Sequence, residues 1–155
     1  MRGASARRGS PQRGVDKAGV GSYNKGMKIL VIDDEELLGK SIQRMLSIKG
    51  WEVTACCTAD DGAEKVAEGG YDLVLLDFKM PEHDGIWFMK NATIPKGTKV
   101  LLMTAFVNRQ TINDMFKLGV SGYVIKPFDE KELLKHLDFH SGGGADEGQP
   151  DQAAM

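Results

Sequence analysis

The chain has little of what many protein functions require. Its 155 residues include two cysteines, three histidines and few aromatic side chains (six Phe, three Tyr, two Trp). No apolar stretch is long enough for a secretory core or a bilayer span, so the protein is expected to be cytoplasmic and to make no membrane contact. Cys56 and Cys57 are neighbours at the end of an apolar run. Successive strand residues point to opposite faces, which disfavours a disulfide between them, and two thiols without nearby His or Cys partners make a poor zinc site. They read as reduced packing residues. His83, His136 and His140 show no metal-site spacing, and His83 reads as an ordinary loop residue. Neither sign of charge dominates, with 20 Lys and Arg against 22 Asp and Glu.

Large apolar side chains are scarce at both ends. Residues 1–26 and 141–155 hold ten of the 19 glycines, and too few apolar groups to offset the entropy of ordering. Both read as disordered tails framing one globular domain at residues 27–140, near the commonest domain size. The first tail carries Arg2, Arg7, Arg8, Arg13, Lys17 and Lys25 against Asp16. With Tyr23 as its one aromatic it reads as a solvating extension, and direct DNA binding is not expected.

What is present is a regular alternation. Five apolar, β-branched-rich runs recur at Lys28 to Asp33, Trp51 to Cys56, Tyr71 to Asp77, Lys99 to Thr104 and Ser121 to Lys126. Between them lie helical patterns: Leu38, Ile42, Met45 and Leu46, then Ala63, Val66 and Ala67, then Ile112, Met115 and Phe116. Gly50, Gly70 and Gly119 sit where helix C-caps are expected. A last, short helix from Glu130 to about Phe139 carries Leu133, Leu134 and Leu137. Near-continuous apolar strands alternating with helices predict an α/β, doubly wound, flavodoxin-like (βα)5 fold with parallel sheet order 2-1-3-4-5. In such sheets function gathers beyond the carboxyl ends of the strands, where the winding reverses.

Those ends are distinctive. The first run stops at Asp33 and Asp34, the third at Asp77, the fourth at Thr104 and the fifth at Lys126. Strands lie about 4.8 Å apart, so these side chains fall along one edge. Three carboxylates there raise one another's pKa unless a cation lies among them, and an all-oxygen site favours a hard ion, Mg2+ with Mn2+ as a substitute. Lys126 and Thr104 suit an anion such as a phosphoryl group. Asp77, between the two sets, is best placed as a carboxylate nucleophile. Each residue has an ordinary explanation alone: paired acids cap helices, Thr ends strands, Lys faces solvent. Their joint occurrence at four strand ends is what argues for chemistry.

The segments "VIDDEE", "DLVLLDFKMPEHDG", "VLLMTA" and "GYVIKPF" together closely resemble the receiver domain of bacterial two-component response regulators, from about Met27 to Phe139. The resemblance implies Asp77 as phosphoacceptor, with Asp33, Asp34, Asp77 and the main-chain carbonyl of Lys79 around Mg2+. It makes Thr104 the switch hydroxyl, Lys126 the phosphoryl-binding lysine and Tyr123 the rotating aromatic, with a cis peptide before Pro127. It further implies phosphoryl transfer from a sensor histidine kinase or phosphotransfer protein, and a changed helix 4, strand 5 and helix 5 surface read by a downstream protein or output domain. A phosphorylation-dependent homodimer is left open. Such a domain is a signalling receiver that catalyses only its own phosphorylation and dephosphorylation.

Some positions vary within that pattern. Phe106 is bulky and is expected to shield the phosphoryl group from water, while Lys79 adds a positive charge beside the acceptor. Trp87 falls where a solvent-facing polar residue is common and reads as packed, with a partner contact as the alternative. No second domain is expected within this chain, which leaves a stand-alone receiver and a fragment of a larger regulator both open. Competing readings fit less well. A Mg-dependent aspartyl-phosphate phosphatase would carry a second Asp two residues after its nucleophile, where Glu35 and Lys79 stand. A flavodoxin-like carrier would not place "DDEE" against a flavin phosphate. An inert pseudo-receiver would lack one of the acids, Thr or Lys.

Overall fold

In the computed structural model, which describes residues 26–105 and 108–141, five parallel strands form one sheet in the order β2-β1-β3-β4-β5. The strands are β1 (Lys28–Ile32), β2 (Glu52–Cys56), β3 (Leu73–Asp77), β4 (Lys99–Thr104) and β5 (Gly122–Ile125). They alternate with α1 (Glu36–Ser47), α2 (Ala59–Glu68), α3 (Gly85–Asn91), α4 (Arg109–Lys117) and α5 (Glu130–Ser141). Apart from Gly26 and Ser141, the last residue of α5, the sequence's two tails lie outside the described residues. Among those described, no helix is long and apolar enough to cross a membrane.

Both faces of the sheet are covered, which is why its central strands read as unbroken apolar runs. Period-two alternation sends Leu30, Ile32, Val74, Leu76, Val100 and Leu102 to one core, packed by Val66 of α2, Phe88 of α3 and Ile112 and Met115 of α4. Ile29, Val31, Leu73, Leu75, Leu101 and Met103 form the other, under Ile42 and Leu46 of α1 and Leu133 and Leu137 of α5. Gln43 of α1 donates its amide to the Val53 carbonyl of β2 (2.8 Å).

Caps fix where the helices begin. The side chains of Thr58, Asp84 and Asn108 accept from the backbone N–H groups of Asp61, Trp87 and Thr111, at 3.0 Å in each case. At α5, Asp129 and Glu132 exchange side-chain-to-backbone bonds at 3.1 and 2.8 Å, a reciprocal capping box. That box starts a helix of 12 residues, as long as α1 and longer than the sequence pattern indicated. Other differences are local. Ala67 and Phe116 are exposed, because the faces of α2 and α4 that meet the sheet are narrower than the apolar pattern. The α2 C-cap is Gly69 (φ 89°), one residue before the expected Gly70.

One close approach sets the spacing of α2 on the sheet. A Cβ at Gly62 would lie 2.4 Å from Ile32 Cδ1 and 2.8 Å from its Cγ1, inside a packed core. Gly62→Val is expected to destabilise the domain by about 1–3 kcal/mol, the usual cost of overpacking, read as a lower urea midpoint; an unchanged midpoint would mean that Ile32 turns aside freely. On the other face His136 and His140 are buried in α5, and burial first, then the charges of His136 and Lys99, lowers the His140 pKa to about 4. The unfolded chain therefore binds this proton first, below about pH 6.5, and stability falls as pH drops from there toward about 4. Replacing His140 by Leu should flatten that part of the stability profile; an identical slope in wild type and variant would refute the assignment.

Candidate functional site

The reversal of winding lies between β1 and β3, and there the first acids meet. Asp33 follows β1 directly and donates its N–H to the Cys56 carbonyl (3.1 Å), which fixes it at the sheet edge. Its Oδ1 accepts the Glu35 N–H at 2.8 Å, turning the chain into α1. Asp77 is the last residue of β3, and the next N–H, from Phe78, bonds the Met103 carbonyl (3.0 Å). Thr104 ends β4, and its carbonyl accepts the Lys126 N–H at 2.9 Å. The Lys126-Pro127 peptide is cis.

These positions place Asp33, Asp77 and Thr104 in a largely enclosed edge, each at most 5 % exposed, while Asp34 and Lys79 are open to solvent. One carboxylate oxygen from each of Asp33, Asp34 and Asp77 lies within 4.8 Å of the others. Lys126 reaches over the intervening strands, its Nζ donating to Asp33 Oδ2 (3.0 Å) and Asp77 Oδ1 (3.1 Å), with Glu35 at 3.7 Å. The sequence suggested an anion partner in this lysine; here it bridges the acids. Asp34, Glu35, Leu38, Lys79, Ala105 and Phe128 complete a cleft of about 520 Å3 over Asp77.

Electrostatics explains the arrangement. Burial, then the neighbouring Asp33 charge, pushes the Asp77 carboxyl up to about 7 despite the opposing pull of Lys126. Burial alone would lower the lysine, but its bonds to Asp33 and Asp77 and their charges outweigh that and raise it. A charge at Asp77 is thus costly, and more positive charge would stabilise it. Three hard oxygen donors at this separation fit Mg2+ or Mn2+.

The remaining sequence candidates fall nearby. Tyr123 of β5 is buried, its ring edge-on to Phe116 of α4 at 6.3 Å. Phe106, with its expected shielding role, lies outside the described residues. Cys56 is buried and Cys57 exposed, as their adjacency required. Trp87 is half-buried against the α2–α4 core. His83 is more than a loop residue: its Nδ1 lies 2.7 Å from Asp60 Oδ1 of α2, and its ring stacks on Trp87 at 4.0 Å. The residues are 23 apart, and no local sequence pattern marks the pair.

A family model described as the response regulator receiver domain matches residues 29–138. The chain is 34 % identical over 112 residues to the transcriptional regulatory protein DltR of Streptococcus agalactiae, covering 72 % of this chain and 50 % of that protein. It is 35 % identical over 121 residues to the chemotaxis protein CheY-3 of Vibrio cholerae, covering 74 % and 92 %. The chain thus spans about half the length of the first of these relatives and most of the second. Among solved structures, the chemotaxis response regulator CheY4 of Vibrio cholerae matches with TM-score 0.68 and 25 % identity, over 73 % of this chain and 97 % of that one. A CheY-like receiver domain protein of Methanospirillum hungatei matches with TM-score 0.69 and 25 % identity, over 73 % and 91 %.

Because Asp77 is an unfavourable place for charge, Asp77→Asn is expected to stabilise the fold in metal-free buffer at pH 8. A gain of about 1 kcal/mol raises the melting midpoint by roughly 4 °C in a domain of this size. A lower midpoint in calorimetry would contradict the crowding of charge described above.

Proposed function

Since the chain belongs to the response regulator receiver domain family of two-component systems, we propose that Asp77 accepts a phosphoryl group from a phosphohistidine of a sensor histidine kinase or phosphotransfer protein. The observation that carries this reading is the Asp77 carboxyl itself, buried beside two other acids and bonded to Lys126 at the floor of an open cleft. In the transfer, an Asp77 oxygen attacks phosphorus, the O–P bond forms as the N–P bond breaks, and the donor imidazole leaves with the electron pair. The cleft is larger than a carboxyl and one phosphoryl group need, which leaves room for that ring.

Asp33, Asp34, Asp77 and the Lys79 carbonyl are the residues we assign to Mg2+, with Mn2+ as a substitute. When bound, the ion neutralises the acids and the charge on the phosphoryl oxygens. Lys126 exchanges its bond to Asp77 for one to a phosphoryl oxygen, and Thr104 donates its hydroxyl to another. Inward movement of Thr104 vacates space for Tyr123, which biases the α4, β5 and α5 surface toward a second state. A downstream protein or output domain reads that surface, and a phosphorylation-dependent homodimer is one form the readout can take. The function is that of a cytoplasmic signalling receiver, not of an enzyme turning over external substrates.

Intact mass after incubation with acetyl phosphate tests the reading. Wild type should gain one phosphoryl group only when Mg2+ is present, and Asp77→Asn should gain none. An adduct that persists in Asp77→Asn would move the nucleophile elsewhere, and its absence from wild type under every donor tried, cognate kinase included, would make the domain inert.

A further inference from the structure

The loop that leaves Asp77 carries an unfavourable residue. Glu82 has φ 68°, a left-handed conformation that L side chains adopt only at a cost. Glu82 is exposed, and Pro81 before it accepts the His83 N–H in a tight turn (2.7 Å). Something must hold the loop in this shape at both ends. At the near end, Phe78 is fixed in the sheet by Met103, and its carbonyl accepts the Gly85 N–H (2.9 Å). A Cβ at Gly85 would lie only 3.2 Å from Phe78 Cα, so α3 starts tight against the acceptor strand. Met80 pins the middle by burial.

The far end is held by His83. Its ring lies flat on Trp87 (4.0 Å, 4° between planes), and its Nδ1 meets Asp60 on α2 at 2.7 Å. These two contacts tie the loop to both helices that flank it. Trp87 is itself fixed, since it packs on the core and its N–H bonds Asp84 (3.0 Å). Asp60 stands in the first turn of α2, whose start is set by the Thr58 cap. An exposed pair of this kind contributes little to global stability. Its effect is local, on the seven-residue stretch between Asp77 and Gly85 in which Lys79 lines the acceptor cleft.

We infer that Asp60, His83 and Trp87 form a clamp that positions the Lys79 segment of the loop and thereby sets the affinity of the acceptor site for Mg2+. Asp60 and His83 are positioning residues for the phosphoryl transfer, although neither belongs to the cleft. The inference rests on the assignment of Asp33, Asp34, Asp77 and the Lys79 carbonyl to the metal. A main-chain ligand has no rotamer to adjust, so its placement depends wholly on loop conformation, and supporting groups outside the ligand set govern affinity.

Calorimetric titration of the full chain with MgCl2 tests the clamp, on wild type, Asp60→Ala, Asp60→Asn, His83→Ala and His83→Phe. Asp60→Ala and His83→Ala should weaken Mg2+ binding by about three- to tenfold, with melting midpoints close to wild type. Asp60→Asn keeps an acceptor for the ring N–H and should restore most of the affinity; His83→Phe keeps the stack but loses the bond and should fall between. With acetyl phosphate, the Ala variants should need more Mg2+ to reach half-maximal rate, yet approach the wild-type rate at saturating Mg2+. Equal Mg2+ affinities across the series would overturn the clamp alone. No Mg2+ binding by wild type would overturn the metal assignment beneath it.

Discussion

Lys126 bonds both Asp33 and Asp77, and so ties β5 to β1 across the two strands between them. This contact depends on the sheet order, because only the reversal of winding brings the ends of β1 and β3 together. It also determines how the acids coexist. Asp33 and Asp77 are almost wholly removed from water, where a pair of like charges is hard to sustain, and the lysine supplies one positive charge against them. Burial first, and then the residual imbalance of charge from Asp33, raises the pKa of Asp77. A site assembled this way is held together by charge yet incompletely neutralised, which makes it receptive to a cation.

The rest of the fold serves that edge. Apolar residues on both faces of β1, β3 and β4 lock the strands in register, so the three residues that end or follow them are placed by the backbone rather than by flexible side chains. The caps of α2 and α3 flank the loop that leaves Asp77, and the Asp33 turn leads into α1. Tyr123 and Phe116 meet on the neighbouring α4 and β5 surface, connecting it to the strand that Lys126 directly follows.

Much of this was legible in the sequence. Strand positions and order followed from alternation and from the length of the apolar runs, and the acids, Thr104 and Lys126 stood out because each ended such a run. Less legible were features that depend on contact between distant segments. The bridge from Lys126 to Asp33 spans 93 residues, and the Asp60 to His83 bond spans 23. The outward positions of Ala67 and Phe116 could not be read from apolar periodicity, which locates a face but not its width. The spacing of Asp129 and Glu132 was readable as a capping box and accounts for the start of α5 at Glu130, whereas its continuation to Ser141 was not marked. In the sequence His136 and His140 show only a lack of metal-site spacing; their burial in α5 is a tertiary feature that no local pattern marks.

The far end of α5 has its own anchor. Lys99, the first residue of β4, donates its Nζ to the His140 carbonyl at 2.9 Å. Thr104 closes the same strand at its other end, roughly 17 Å away at the rise of an extended chain. The C-terminal end of α5 and the Asp77 carboxyl therefore lie on opposite rims of the sheet. The sheet between them is packed on both faces, so β4 is a rigid spacer that holds the Lys99 anchor at a fixed distance from the acidic edge.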